Sequence, residues 1–387
     1  MHSIWREKYS ISTWFYLFCF LLIQNRFAAA QEVLWSHAGL GARPGLVFLD
    51  DEEDRDRVLV YSSFANRVVA VGFRDGQESW TRTFPERIPY SPLSLAESVV
   101  VQGDQGTLWA LNSRKGERLW EVSAPEPLDF PIAPPRFREQ ALFTLSRNGI
   151  LRKISKEGRI LATVQQPNSW GDRKAKTVPL RSFQSLLTFL DQSGRILTYD
   201  PVTMQLSVLN LWAPAGQLTR AFGRSREALA GALSPDRQFV WTVELPGVLR
   251  GYKLETKAEL WKKGLGDPSL LFSAQGELLA VPTAVVTEEL TGVFLCTRKE
   301  VAIRDGASGE VSLRLDLPSD AVQSPSYDPI SQRWWVLCHE HLVSVDQRLQ
   351  AREVQLPIVE TPYSFVVRDG MAVIGTLQGR IFGIKIN

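Results

Sequence analysis

The side chains best suited to chemistry are the run Cys338-His339-Glu340-His341. Thiolate, imidazole and carboxylate are the donors that hold zinc, and a stable site takes three or four of them. Read on a strand, whose side chains alternate faces, His339 and His341 project together and Cys338 opposes them. Two imidazoles make only a partial site. His339 and His341 are therefore weak metal candidates, set against the plainer reading of a polar strand edge. Beyond residue 30 the only other histidine is His37 and the only other cysteine is Cys296. Cys296 and Cys338 stand at similar places in adjacent repeats. Equivalent points on neighbouring sheets lie farther apart than the roughly 4.4–6.8 Å Cα spacing of a disulfide, so buried free thiols are expected. The run Asp50 to Asp54 is densely acidic but lacks the spaced Asp-x-Asp-x-Asp-Gly pattern of a calcium loop. It reads as a solvated loop or a docking surface. Gly-x-Ser-x-Gly, a phosphate-binding loop and His-Glu-x-x-His are all missing from the sequence. These residues point to no catalytic constellation, no bound cofactor and no enzyme.

Charge narrows the partners. The 387 residues carry 44 Lys and Arg against 42 Asp and Glu. The first 30 have the layout of a secretory signal: Arg6 and Lys8, then ten apolar residues from Trp14 to Ile23, then Ala28-Ala29-Ala30. Ten apolar residues are too few to cross a bilayer of roughly 30 Å at about 1.5 Å per residue. Cys19 sits inside the apolar run behind Tyr16, Leu17 and Phe18, which does not make a lipoprotein signal. Cleavage after Ala30 removes Arg6, Lys8, Arg26 and Glu7, leaving 41 basic and 41 acidic side chains. A neutral protein is a poor bulk partner for nucleic acid, whose phosphates call for a surplus of Lys and Arg. A periplasmic or secreted protein follows, with residues 31–387 as one domain.

Within that balance one span is lopsided. From Arg136 to Arg181 there are eleven basic and three acidic residues. Arg147, Arg152, Lys153, Lys156, Arg159, Arg173, Lys174 and Lys176 form a candidate interaction patch for an anionic membrane surface or an acidic protein. The bland reading is a set of exposed strand faces.

The elements that must carry these residues are repeats. In Val101 to Val122, strands alternate with the turns Gly103-Asp104-Gln105-Gly106 and Asn112 to Gly116, and the last strand holds Trp120. A unit of this kind begins near Pro44, Pro92, Pro134, Pro179, Pro325 and Pro362, with less regular units between Arg226 and Leu315. Each has four short strands at a period that fits a β-propeller. Trp35, Trp80, Trp120 and Trp261 stand in the fourth strands, while Ala162 and Ser207 occupy that place in units three and four. The chain opens with an unpaired fourth strand at Glu32 to Trp35 and closes with a unit lacking one. The two halves make one blade and leave no large open edge. The expected fold is all-β: an eight-bladed propeller of four-stranded antiparallel blades, closed by its N-terminal strand, with seven blades as the alternative count. Trp35's strand is expected to pair with residues 380–386.

The motif in VQGDQGTLWALNSRKGERLW, repeated in part at Phe73 to Trp80, Ile303 to Gly309 and Leu377 to Ile384, resembles the repeat of the pyrroloquinoline-quinone-type propellers. The resemblance implies that Trp35, Trp80, Trp120 and Trp261 dock between adjacent blades. Quinone-dependent dehydrogenases of this fold are longer and carry a vicinal cysteine pair and a calcium-binding set, which this sequence does not match. The short, non-enzymatic members are closer in length, the best known being the propeller component of the bacterial outer-membrane β-barrel assembly machinery, normally a lipoprotein. By that resemblance the chain is a non-catalytic envelope scaffold that binds other envelope proteins, a monomer within a complex. The alternative is a small quinone- or sugar-dependent periplasmic enzyme using the central funnel.

Overall fold

A computed structural model describes residues 31–386 except 39–40, 50–55, 63, 96, 124–135, 139–140, 147–149, 166–176, 180–186, 192–194, 211–226, 277, 287–290, 329, 347 and 349. The signal-like segment 1–30, the acidic run 50–54 and Arg147, Arg173, Lys174 and Lys176 lie outside the described residues.

Eight antiparallel sheets of four strands make the ring. Blade 1 has strands a to d at Pro44–Phe48, Arg57–Ser62, Arg67–Gly72 and Glu78–Thr83. Blades 2 to 7 repeat this order over residues 93–122, 136–165, 177–210, 227–264, 283–316 and 326–355. Blade 8 takes its first three strands from Pro362–Arg368, Met371–Thr376 and Ile381–Lys385, and its fourth from Val33–His37. There Trp35 faces Gly383 and His37 faces Ile381. The expected closure is thus present, and the blade count is eight. Seryl and ionic latches reinforce the joint. Ser364 Oγ of blade 8 donates to the Pro44 carbonyl of blade 1, and Arg74 of blade 1 reaches Asp369 of blade 8 at 3.1 Å.

Burial explains why strands b and c read as unbroken apolar runs while strand d does not. Arg57–Ser62 and Arg67–Gly72 are almost wholly buried, because each blade is covered on both faces by its neighbours. Of strand d in the same blade only Trp80 is buried. These rim strands carry charge (ESWTRT, RLWEV, ELWKKG, AREVQ), which discourages another chain from adding to the open edge. The a strands neighbour one another around the axis, as Pro44–Phe48 does Pro362–Arg368 and Ser326–Asp328 does the same strand.

Blade 6 draws its first strand from Thr283–Val286 and its second from Thr291–Cys296. Residues 268–271, ahead of that first strand, form a 3-10 turn capped by the Asp267 carboxylate accepting from the Ser269 N–H. The fourth strands run on past their tryptophans, to Thr83, Val122 and Gly264 in blades 1, 2 and 5.

Candidate functional site

The four tryptophans share one geometry. In each of these fourth strands a bulge inserts an extra residue just before the tryptophan. Trp80 faces Ala70 while Glu78 faces Val71, leaving Ser79 over. The same offset surrounds Trp120, Trp261 and Trp35. The extra residues Leu34, Leu119 and Leu260 stay exposed, while the indole turns toward the next blade. Across the strand sits Ala70, Ala110, Gly251 or Gly383, small enough to clear the ring.

Each indole N–H then donates to one carbonyl in the turn between strands c and d of the following blade. Trp35 reaches Phe73 O (3.1 Å), Trp80 reaches Ser113 O (2.8 Å), Trp120 reaches Lys156 O (2.7 Å) and Trp261 reaches Gly306 O (3.0 Å). The ring of Trp80 lies flat on Gly116, whose φ is +66°. A Cβ there would come within 2.6 Å of Trp80 Cδ2. Gly76, Gly158 and Gly309 stand in the same relation to Trp35, Trp120 and Trp261. Both the backbone conformation and the ring contact disfavour any other residue type at Gly116.

Where the tryptophan is missing, its glycine is missing too. Blade 3 has Ala162 in that place, and the turn of blade 4 has Met204 at φ +57°. Blade 4 has Ser207, and the turn of blade 5 has Lys257 at φ +59°. Blade 6 has Leu313, and residues 346–350 of blade 7 contain no glycine. Opposite the small Ala162 stands Lys153 in place of a small residue. Its Nζ donates to Pro201 O at 2.6 Å, the carbonyl matching Phe73, Ser113 and Gly306 in the other turns. Lys153 does for blades 3 and 4 what an indole N–H does elsewhere. The same turn holds Asp200, whose carboxyl is kept below its usual range by the N–H groups of Thr203 and Val202, with the charge of Lys153 adding to them.

This corrects the basic patch. Arg152 is buried at 9 % exposure and Lys153 is half-buried and engaged in the blade joint, so neither presents its charge on the surface. Lys156 and Arg159 are exposed in the turn of blade 3, Arg159 beside Glu157 at 3.9 Å.

The histidines are also corrected. His339 and Glu340 form the turn between strands Arg333–Leu337 and His341–Val345, so the alternation that would align His339 with His341 does not apply. Cys338 instead bridges Ala321. His37 lies on blade 8 beside Glu78 at 3.8 Å. Among the described residues no three His, Cys, Asp or Glu side chains converge as metal ligands. Cys296 and Cys338 are unpaired and buried in one core cluster between blades 6 and 7. Burial pushes the Cys338 thiol up to about 12 and the Cys296 thiol well above its ordinary value, which suppresses thiolate chemistry at both.

Blade 5 holds a polar group that the sequence reading missed. Glu244 is 1 % exposed and accepts from Thr242 Oγ1 (2.7 Å), Tyr252 OH (3.3 Å) and Arg250 Nε (3.0 Å). Arg250 also reaches Glu259 at 2.7 Å. A buried carboxylate so surrounded is satisfied, and it ties strands b, c and d of one blade together. Its signal was the spacing of Thr242, Glu244, Arg250 and Tyr252, which strand alternation puts on one face.

A small polar cavity of about 170 Å³ opens where the a strands of blades 8 and 1 meet, bounded by Arg43, Tyr61, Pro89, Gln323, Tyr363 and Ser364.

Comparison with known proteins agrees with this architecture. Residues 26–161 match a family model described as outer membrane protein assembly factor BamB. The crystal structure of BamB from Moraxella catarrhalis superposes with a TM-score of 0.60 at 12 % identity, covering 92 % of this chain and 100 % of that one. The computationally designed Ika8 protein (TM-score 0.63, 14 % identity) and Saccharomyces cerevisiae Sqt1 (0.62, 12 %) cover the same shares. No curated protein sequence matches significantly. By repeat, residues 26–161 are similar to that family, and by fold around all eight blades the chain is a β-propeller.

Proposed function

We propose that this propeller is a non-catalytic scaffold of the cell envelope, exported through its first 30 residues, that holds other proteins together during outer-membrane protein assembly. The match of residues 26–161 to a family described by that role carries the reading. The structure supports it by what its polar and reactive groups are used for. Buried Glu244 and Arg250 satisfy each other, the two thiols are sealed in a core, and the tryptophans face neighbouring blades. Fold alone does not assign function, so the pathway has to be tested directly. The exposed basic turn of blade 3, with Lys156 and Arg159, is assigned to an acidic protein partner.

The test is site-specific photo-cross-linking in the native envelope, with the photoreactive residue at Lys156 or Arg159 and, as a control, at Lys257 on blade 5. Expected is a discrete envelope-protein adduct from the first two positions, together with lowered outer-membrane β-barrel proteins when the gene is deleted. Failure to recover any adduct, with barrel levels unchanged, would refute the proposal.

A further inference from the structure

The cavity at the ring closure combines features that a purely structural gap does not need. Arg43 enters blade 1 with φ +54°, in the left-handed region that non-glycine residues avoid. Nothing in the fold of the chain requires arginine there, since glycine adopts that conformation without strain. The guanidinium lies over the Phe64 ring, 5.3 Å from its centroid, and among the described residues no carboxylate pairs with it. It lines the cavity, and none of the other lining residues is acidic.

A second polar side chain lines the same space. Gln323, from the connection into blade 7, accepts the Phe365 N–H on its side-chain oxygen at 3.1 Å. Its amide nitrogen has no acceptor among the described residues. Ser364 is already spent on the Pro44 carbonyl. The cavity therefore brings together a cation and an amide side chain, flanked by Tyr61 and Tyr363, with no carboxylate among its lining residues. Its volume of about 170 Å³ is below the ~300–1,000 Å³ of sites that enclose a whole small molecule. A cavity of about 150 Å³ holds a benzene-sized molecule, so this one takes a single acidic side chain or a small acid.

We propose that this cavity binds a carboxylate, with Arg43 as its charged partner through the fork geometry that guanidinium offers and Gln323 as a second donor. The carboxylate belongs either to an acidic side chain of a bound peptide or to a free small acid. Because residues from blades 7, 8 and 1 line it, an occupied site would also brace the ring where its ends meet.

The experiment uses the protein from residue 31 onward. Titrations with glutarate and with N-acetyl-glutamate amide, at constant ionic strength set by chloride, are followed by amide chemical shifts and melting temperature, alongside phosphate and glucose. Expected are saturable shifts of Arg43, Gln323 and Tyr363 resonances with both carboxylates, and with neither phosphate nor glucose. Stronger binding of N-acetyl-glutamate amide identifies the peptide source, and stronger binding of glutarate the free acid. Arg43→Gly should melt at or above the parent temperature, because it relieves the left-handed backbone, yet bind the carboxylates about tenfold or more weakly. Gln323→Leu should weaken binding with Arg43 intact. Unchanged binding in Arg43→Gly, binding of phosphate without carboxylate, or no saturation by either carboxylate would each overturn the proposal.

Discussion

Replacing Gly116 by alanine tests the blade joint at its tightest point. The residue sits at φ +66°, where an L side chain costs about 1–2 kcal/mol. Its new methyl would stand 2.6 Å from Trp80 Cδ2 and 2.7 Å from Cε3, so the indole must move. Moving it strains the buried 2.8 Å bond from Trp80 Nε1 to Ser113 O, worth about 1 kcal/mol. Together these predict a loss of about 2–4 kcal/mol for Gly116→Ala. In a Trp80→Ala background the clash and the bond are already gone, and only the backbone term of about 1–2 kcal/mol remains. Equilibrium urea unfolding of the four proteins should then give a coupling of about 1–2 kcal/mol between the two sites. Lys257→Gly serves as the counterpart. It lies at φ +59° in a turn that receives no tryptophan, and glycine there should be neutral or stabilising by up to about 1 kcal/mol. Additive effects of Gly116→Ala and Trp80→Ala would refute the idea that the glycine exists for the ring that lies on it.

Three further outcomes follow from the same geometry. Lys153→Ala should lower stability by about 1–2 kcal/mol in urea unfolding by removing the charged hydrogen bond to Pro201 O, whereas Lys156→Ala, whose side chain is exposed, should change little. Glu244→Gln keeps the shape but leaves Arg250 without its buried counter-charge, and should cost about 2–4 kcal/mol, read as a drop in melting temperature. Burial raises both thiols, Cys338 to about 12, so protonated sulfur prevails at pH 8. Neither should react with a thiol reagent in the folded protein, both should react in urea, and raising the pH to 9 should not open them.

Much of the architecture was legible because it repeats. Continuous apolar runs such as RVLVYS and RVVAVG report burial on both faces, and the unpaired strand at Glu32 to Trp35 with three strands at the other end foretold the joint between Val33–His37 and Ile381–Lys385. Blade 6 was obscure because its short a strand, Thr283–Val286, follows an apolar segment that turns as a 3-10 helix, and local pattern does not separate the two. His339 and His341 were misplaced for a similar reason. A two-residue turn interrupts the strand between Cys338 and His341, and alternation holds only within a continuous strand.

The sequence by itself determined the repeat, the strand order, the closure and the absence of a nucleophile or metal motif, since these rest on local spacing and residue type. It also recorded, as paired losses at 162 and 204 and at 207 and 257, which joints lack a docking tryptophan. Only the tertiary structure decided what those pairs mean, because Trp80 and Gly116 touch only when successive blades are stacked. The same stacking turned Lys153 from a surface charge into an internal hydrogen-bond donor. It also brought Arg43 and Gln323, 280 positions apart, to one cavity at the ring's seam. Charge can be counted along a chain, but whether it faces water, a carbonyl or a ligand is set by which segments the ring makes neighbours.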